Sequence, residues 1–186
     1  MSDKARLVVL SGPSAVGKGT LASHIISEHE GFELSVSATT RSPRPGEVEG
    51  KSYYFVSDES FQEMIDSNQL LEWATVHGVH RYGTPKAAVD QALSSGSNVV
   101  LEIDVQGAFQ VREAFPEALL IFVRPPSFEE LEIRMQKRGT ESVEDKLRRL
   151  ETARTELSQA ESFDFQVIND EVARCAQEVV DLVKSN

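Results

Sequence analysis

Continuous apolar runs alternate along this chain with stretches whose apolar positions recur every three or four residues. Leu7-Val8-Val9-Leu10 is such a run. It ends at Ser11-Gly12 and predicts a strand covered on both faces. A helix is expected from about Lys18 to His29, and a strand from Phe32 to Ser37 after Gly31. A polar stretch, Ala38 to Ser52, leads to a short strand over Tyr53 to Val56. Ser57, Asp58 and Ser60 offer N-caps for a helix to about Asn68. Leu70 to Val76 predicts a strand, and Thr84-Pro85 opens a helix to about Leu93, closed by Ser94-Ser95-Gly96. Asn98 to Ile103 and Ala118 to Val123 are further buried-strand runs. After Arg124-Pro125-Pro126, Ser127 and Glu130 form a capping-box pattern for a helix that Gly139-Thr140 breaks. A long helix over about Val143 to Ala160, a strand over Phe165 to Ile168 and a final helix capped by Asp170 complete the pattern.

Strands alternating with amphipathic helices predict βαβ units and a mostly parallel sheet, an α/β fold. The section 38–85 has shorter elements and more turns, and reads as an insertion into that core. The chain shows no internal repeat and no low-complexity segment.

Composition narrows the function. With 186 residues, 40% hydrophobic and 26% charged, the chain suits one domain with a sizeable core. No apolar run approaches the ~18 residues of a membrane span, so no membrane partner is expected. Met1 to Arg6 is polar and lacks signal-peptide character, and the lone Cys175 has no internal disulfide partner; both point to a cytoplasmic location. Cys175 lies among Val172, Ala176, Val179, Val180 and Val183 at helical spacing, which predicts core packing. The net charge of −11 argues against a general nucleic-acid binder. The basic residues nevertheless cluster: Arg41 with Arg44, Arg134 with Lys137 and Arg138, and Lys146 with Arg148 and Arg149. Alone, such clusters also read as solvated faces.

The strongest chemical signal is Gly12-Pro13-Ser14-Ala15-Val16-Gly17-Lys18-Gly19-Thr20. It matches G-x-x-x-x-G-K, directly after a predicted strand and opening a predicted helix. Glycines there let backbone N–H groups turn inward onto phosphate oxygens, the helix N-terminus adds partial positive charge, and Lys18 adds a full one. Gly19 stands where many P-loops carry Ser or Thr, and the hydroxyl comes one residue later, at Thr20. This departure leaves open whether Thr20 touches Mg²⁺ directly.

The insertion carries Ser35-Val-Ser-Ala-Thr-Thr-Arg41-Ser-Pro-Arg44-Pro-Gly-Glu47 and Gly50-Lys-Ser-Tyr53-Tyr-Phe55, then Leu71-Glu72-Trp73-Ala74 and Tyr82-Gly83-Thr84. Glu102-Ile-Asp104-Val-Gln-Gly107, Arg138-Gly-Thr140 and Ile168-Asn169-Asp170 follow. In this order and spacing, the pattern resembles the guanylate kinase family across nearly the whole chain. The resemblance implies a P-loop NTPase three-layer α/β/α core over 1–37, 86–126 and 150–186. It also implies a mixed α+β GMP-binding insertion over 38–85 and a helical lid over 127–149. It implies transfer of the γ-phosphate from MgATP to GMP, with ATP and GMP as the small-molecule partners.

By the same resemblance, residues 12–20 and Asn169 bind ATP, and Arg41, Arg44 and Tyr53 hold the GMP phosphate, as paired guanidinium forks suit a dianion. Glu72 reads the guanine N1–H and 2-amino donors, and Thr84 or Ser37 reads O6. Tyr82, Glu102 and Asp104 border the same site, with Asp104 and Thr20 toward the Mg²⁺. Arg134, Arg138 and Arg149 close over the transferring phosphate. Plainer readings stand beside these: Tyr53 as a core aromatic, Glu72 as an exposed strand-face glutamate, and Glu102 as a strand carboxylate paired with a base. A kinase for another acceptor, and a non-catalytic phosphopeptide-binding module on the same scaffold, are the rival functions. Glu72 with the two-arginine insertion speaks against the first, and the intact Gly17-Lys18-Gly19-Thr20 against the second.

Overall fold

The computed structural model describes residues 4–76, 79–136 and 143–186, with side chains from 147 onward in the last segment. Its strands are β1 (Leu7–Ser11), β2 (Phe32–Leu34), β3 (Ala38–Thr39), β4 (Tyr54–Phe55), β5 (Leu70–Val76), β6 (His80–Pro85), β7 (Asn98–Glu102), β8 (Leu119–Arg124) and β9 (Phe165–Ile168). Its helices are α1 (Lys18–Glu28), α2 (Asp58–Asp66), α3 (Lys86–Ser94), α4 (Val105–Ala114), α5 (Phe128–Gln136), α6 (Val143–Ser158) and α7 (Val172–Ser185).

The main sheet is parallel, in the order β2-β7-β1-β8-β9. Period-two alternation divides β1 between two cores. Val8 and Leu10 pack with Leu21 and Ile25 of α1 and with Val179 and Val183 of α7. Leu7 and Val9 pack on the opposite face with Val89 of α3 and Val105, Ala108 and Val111 of α4. Both faces are therefore apolar, which is why the strand appears as an unbroken hydrophobic run. Each such side chain contributes about 1.5–3 kcal/mol on burial. Helix α7 buries Cys175, Ala176, Val179, Val180 and Val183, and burial pushes the Cys175 thiol up to about 11. That cysteine packs the core, as its neighbours predict.

A second, mixed sheet runs β4-β3-β6-β5, with Ala38, Phe61 of α2 and Leu70 as its own small core. Several elements differ from the sequence expectation. β2 stops at Leu34 because the chain changes sheets: Ser35 N–H still bonds Val100 O, but Ser37 O already accepts from Tyr54 N–H in the second sheet. β6 carries none of the alternation that marks a strand and contains Gly83 and Pro85, yet it pairs with both β3 and β5. Helix α3 begins at Lys86, with Pro85 as its N-cap residue. The N-cap of α7 is Glu171 rather than Asp170. The Asp170 carboxylate instead accepts from Glu171 N–H at 2.7 Å and pairs with Arg174 at 2.7 Å. The expected break at Gly139-Thr140 lies outside the described residues. Among the described residues no helix is long and apolar enough to cross a membrane.

Candidate active site

The turn from β1 into α1 passes through left-handed backbone at Gly12 (φ 143°), Ala15 (φ 66°) and Gly17 (φ 98°). Two of these positions exclude a side chain on contact as well. A Cβ on Gly12 would overlap the Val123 carbonyl of β8, and one on Gly17 would lie 2.6 Å from Asn169 Nδ2. The loop Gly12-Pro13-Ser14-Ala15-Val16-Gly17 is thereby wound tightly at the start of α1, which opens with Lys18, Gly19 and Thr20. Lys18 Nζ donates to the carbonyls of Gly12 and Pro13, so the cation lies across the mouth of the loop.

Neighbouring elements brace this loop through the Val16 carbonyl and through Ser14. Asn169, only 3% exposed at the end of β9, donates its Nδ2 to Val16 O at 2.9 Å. From α5, Arg134 donates to Val16 O at 3.2 Å and to Asn169 O at 3.3 Å, and it pairs with Glu130. From α6, Arg149 donates to Ser14 Oγ at 2.9 Å. Seven residues on, and so on the same face of that helix, the Glu156 carboxylate accepts from Ser14 N–H. Its surroundings bury it and raise its pKa above the usual carboxylate range, against the lowering influence of nearby Lys18. Arg134 and Arg149 thus reach the same loop, while Arg138 lies outside the described residues. The sequence reading missed Glu156; its spacing from Arg149 was the available signal.

The second sheet presents a different chemistry. Arg41 is 9% exposed and its guanidinium forks onto Glu47, with Nη2 to Oε1 at 2.8 Å and Nη1 to Oε2 at 3.0 Å. Its Nε donates to Tyr82 Oη at 3.1 Å, and its guanidinium carbon lies 5.4 Å from the centre of the Tyr53 ring. Tyr53 and Tyr82 meet edge to face at 5.8 Å. Burial raises the Tyr53 phenol above its ordinary value, so it stays a donor at neutral pH. Glu47 belongs to the same motif as Arg41 and Arg44, and nothing in the sequence marks it out from a solvated carboxylate.

Glu72 on β5 is 6% exposed and accepts a 2.7 Å bond from Thr84 Oγ1 on β6. Burial, with the Asp104 charge adding to it, pushes its carboxyl up to about 7. A β-bulge between Leu70 and Trp73 breaks the alternation of β5, so Leu71 and Glu72 are both buried. Asp104 caps α4 through Oδ1, which accepts from Gly107 N–H at 2.7 Å. Glu72 approaches the same turn: a Cβ on Gly107 would lie 3.1 Å from its Oε2.

The two half-sites meet at Glu102. It lines one cavity with Ser37, Tyr53 and Thr84, and its carboxylate stands 3.1 Å from where a Cβ on Gly19 would be. The P-loop helix and the second sheet therefore share this wall.

A family model described as guanylate kinase matches residues 4–186. The chain belongs to the guanylate kinase family. It is 56% identical over 180 residues to a guanylate kinase of Leifsonia xyli, covering 97% of this chain and 71% of that one. It is 50% identical over 173 residues to a guanylate kinase of Caldanaerobacter subterraneus, covering 93% and 84%. The crystal structure of a guanylate kinase from Anaplasma phagocytophilum superposes with a TM-score of 0.75 at 33% identity, over 97% of this chain and 85% of that one. Members of this family phosphorylate GMP at the expense of ATP, and the parallel α/β core is their P-loop fold.

Proposed function

We propose that the chain transfers the ATP γ-phosphate directly to GMP, giving ADP and GDP, with the residues of the two half-sites in separate roles. The observation that carries this reading is the shared wall at Glu102, which sets a phosphate-binding loop beside a buried carboxylate–hydroxyl pair on the second sheet.

On the donor side, backbone N–H groups within residues 12–20 cradle the ATP phosphates, Pro13 having none and the Ser14 N–H being taken by Glu156, and Lys18 neutralises their charge. Arg134 and Arg149 stand beside the loop to bind charge that builds in transfer, with Arg138 in the same role by resemblance. Asn169 acts on ATP through the loop it braces, since its amide is committed to Val16 O. On the acceptor side, Arg41, Arg44 and Tyr53 take the GMP phosphate, with Tyr82 behind Arg41. Ionised Glu72 accepts from the guanine N1–H and 2-amino group. Thr84 holds Glu72 in place, so Ser37 is the hydroxyl left to donate to O6. Glu102 and Asp104 complete the wall between them.

No general base is assigned, because a phosphate oxygen of GMP is itself a competent nucleophile and the reaction needs mainly positioning and charge neutralisation. Mg²⁺ fits the donor set, which is the oxygen chemistry of the Thr20 hydroxyl and the Asp104 carboxylate. Among the described residues no cluster of three or more His, Cys, Asp or Glu side chains could cage a metal. An ion held mostly by nucleotide phosphates and water suits such a site, and when bound it would neutralise phosphate charge. The reaction is cytoplasmic in this reading, with neither nucleic acid nor membrane as partner.

An ADP-release assay on the purified chain tests the proposal. ADP should appear with ATP, Mg²⁺ and GMP together and fall to background when GMP is omitted. Equal turnover of AMP would overturn it.

A further inference from the structure

Arg41 has five N–H donors. Its Nε–H goes to Tyr82 Oη at 3.1 Å, the two on Nη1 go to Ser42 O at 2.8 Å and Glu47 Oε2 at 3.0 Å, and one on Nη2 goes to Glu47 Oε1 at 2.8 Å. One N–H, on Nη2, remains for a ligand. Glu47 also accepts the backbone N–H of Arg44 at 2.7 Å, while its own N–H donates to Arg44 O at 3.0 Å, closing a turn. The Arg44 guanidinium is exposed and makes no hydrogen bond to any described residue. One carboxylate therefore fixes the side chain of the first arginine and the backbone of the second.

We propose that Glu47 is a positioning residue for the acceptor phosphate: it locks Arg41 in one orientation and pins the turn that carries Arg44, leaving Arg44 as the arginine whose whole fork meets the ligand. The inference rests on the GMP-kinase reading above. The side chains of the Arg41–Glu47 pair are 9% and 22% exposed, and a bidentate pair in that setting is short, oriented and weakly screened. Arg41 and Arg44 hold the Glu47 carboxyl below its ordinary range, so it stays ionised wherever the enzyme works. Charge follows the same division. Glu47 cancels Arg41, and Arg44 supplies the net positive charge that draws a phosphate dianion. Without Glu47, Arg41 keeps its charge but loses the two contacts that orient it, and the Arg44 turn loses its clasp.

The test is Glu47→Gln, which preserves size and removes the charge and one acceptor. Guanosine, as an inhibitor competitive with GMP, probes the base pocket without a phosphate. Removing a hydrogen bond to a charged group is worth about tenfold or more in affinity. KM and Kd for GMP should rise by about that factor, while the guanosine inhibition constant and the KM for ATP stay within about twofold of the unmodified chain. An unchanged KM for GMP in the variant would overturn the assignment. Equal weakening of GMP and guanosine would do so as well, because it would make Glu47 a scaffold residue of the whole sheet. In both cases the unmodified chain still turns GMP over and the kinase reading stands. An unmodified chain with no GMP turnover removes both readings.

Discussion

The two half-sites are made from different parts of the polypeptide. In the proposed reading, the ligand-facing groups on the donor side are main-chain N–H groups wound by Gly12 and Gly17, and side chains such as Asn169 and Arg134 grip main-chain carbonyls. On the acceptor side the proposed ligand-facing groups are side chains, held by other side chains: Arg41 by Glu47 and Tyr82, and Glu72 by Thr84. A phosphate chain needs only converging N–H dipoles and cations, which any well-wound loop offers. A purine base needs a fixed pattern of donors and acceptors, which only placed side chains provide. Substitutions should therefore act on transfer at the first half-site and on recognition at the second.

The largest expected effect breaks the donor side. Lys18 holds a full positive charge across the loop's mouth, where low dielectric would strengthen its action on phosphate oxygens. Lys18→Ala should lose about 4 kcal/mol of transition-state stabilisation, roughly 10³ in kcat. Its Nζ donates to the loop carbonyls of Gly12 and Pro13, so the fold should survive. GMP binding at Arg41, Arg44 and Tyr53 should be largely retained. Circular dichroism, GMP titration and kinetics on one preparation check the three parts, and full activity in a folded variant would refute the role.

Next in size is base selectivity. In the proposed reading, ionised Glu72 meets two guanine donors, whereas adenine would leave it buried with only the Thr84 bond, and discrimination of that kind reaches roughly 10⁴–10⁵. Glu72→Gln, which turns an acceptor into a donor, should erode the GMP preference over AMP by about 10² or more. Because the carboxyl titrates near about 7, the unmodified enzyme should bind guanosine, which carries no titrating phosphate, more tightly as pH rises from 6 to 8, and the variant should not. A flat guanosine inhibition constant across that window would remove Glu72 from base recognition.

The same group makes a stability prediction. Its folded-state pKa of about 7 lies above an ordinary carboxyl value near 4.5. Between those values the folded state holds a proton that the unfolded chain has lost, so stability is fully present below 4.5 and is lost as pH rises to about 7. The contribution is roughly 3 kcal/mol at 1.36 kcal/mol per unit. Denaturant unfolding of the ligand-free protein at pH 5 and pH 8 should show that loss, and Glu72→Gln should abolish most of it. Equal pH slopes in both proteins would contradict it.

The comparison also explains what could be read from the sequence. Strands β1, β7 and β8 are apolar on both faces, so their composition alone announced a parallel α/β core. β6 did not announce itself, because its place depends on backbone pairing with neighbours on both sides rather than on its own side chains. The P-loop was legible because glycine spacing encodes backbone geometry directly. Glu72 was not legible as a buried group: between Leu71 and Trp73 it has the pattern of an outward strand residue, and a bulge turns it inward. Glu47 and Glu156 look in sequence like any solvated carboxylate; only tertiary contacts with Arg41 and Ser14 distinguish them.

The smallest expected effect sharpens the contrast most. Ala15 lies at φ 66°, the one non-glycine residue with left-handed backbone in the loop. An L side chain there costs about 1–2 kcal/mol, which glycine would relieve. Glycine also gives the unfolded chain more freedom, worth roughly 0.5–1 kcal/mol in the opposite direction. Ala15→Gly should therefore be neutral to mildly stabilising, with a gain in stability of no more than about 1.5 kcal/mol and a Tm rise within about 6 °C. If the donor side is made of main chain, kcat and both KM values should stay within about twofold, because every N–H remains. Calorimetry and steady-state kinetics together decide the matter. A tenfold loss of kcat in a stable Ala15→Gly protein would mean that the methyl group restrains the loop, and that side chains shape the donor half-site as they do the acceptor half-site.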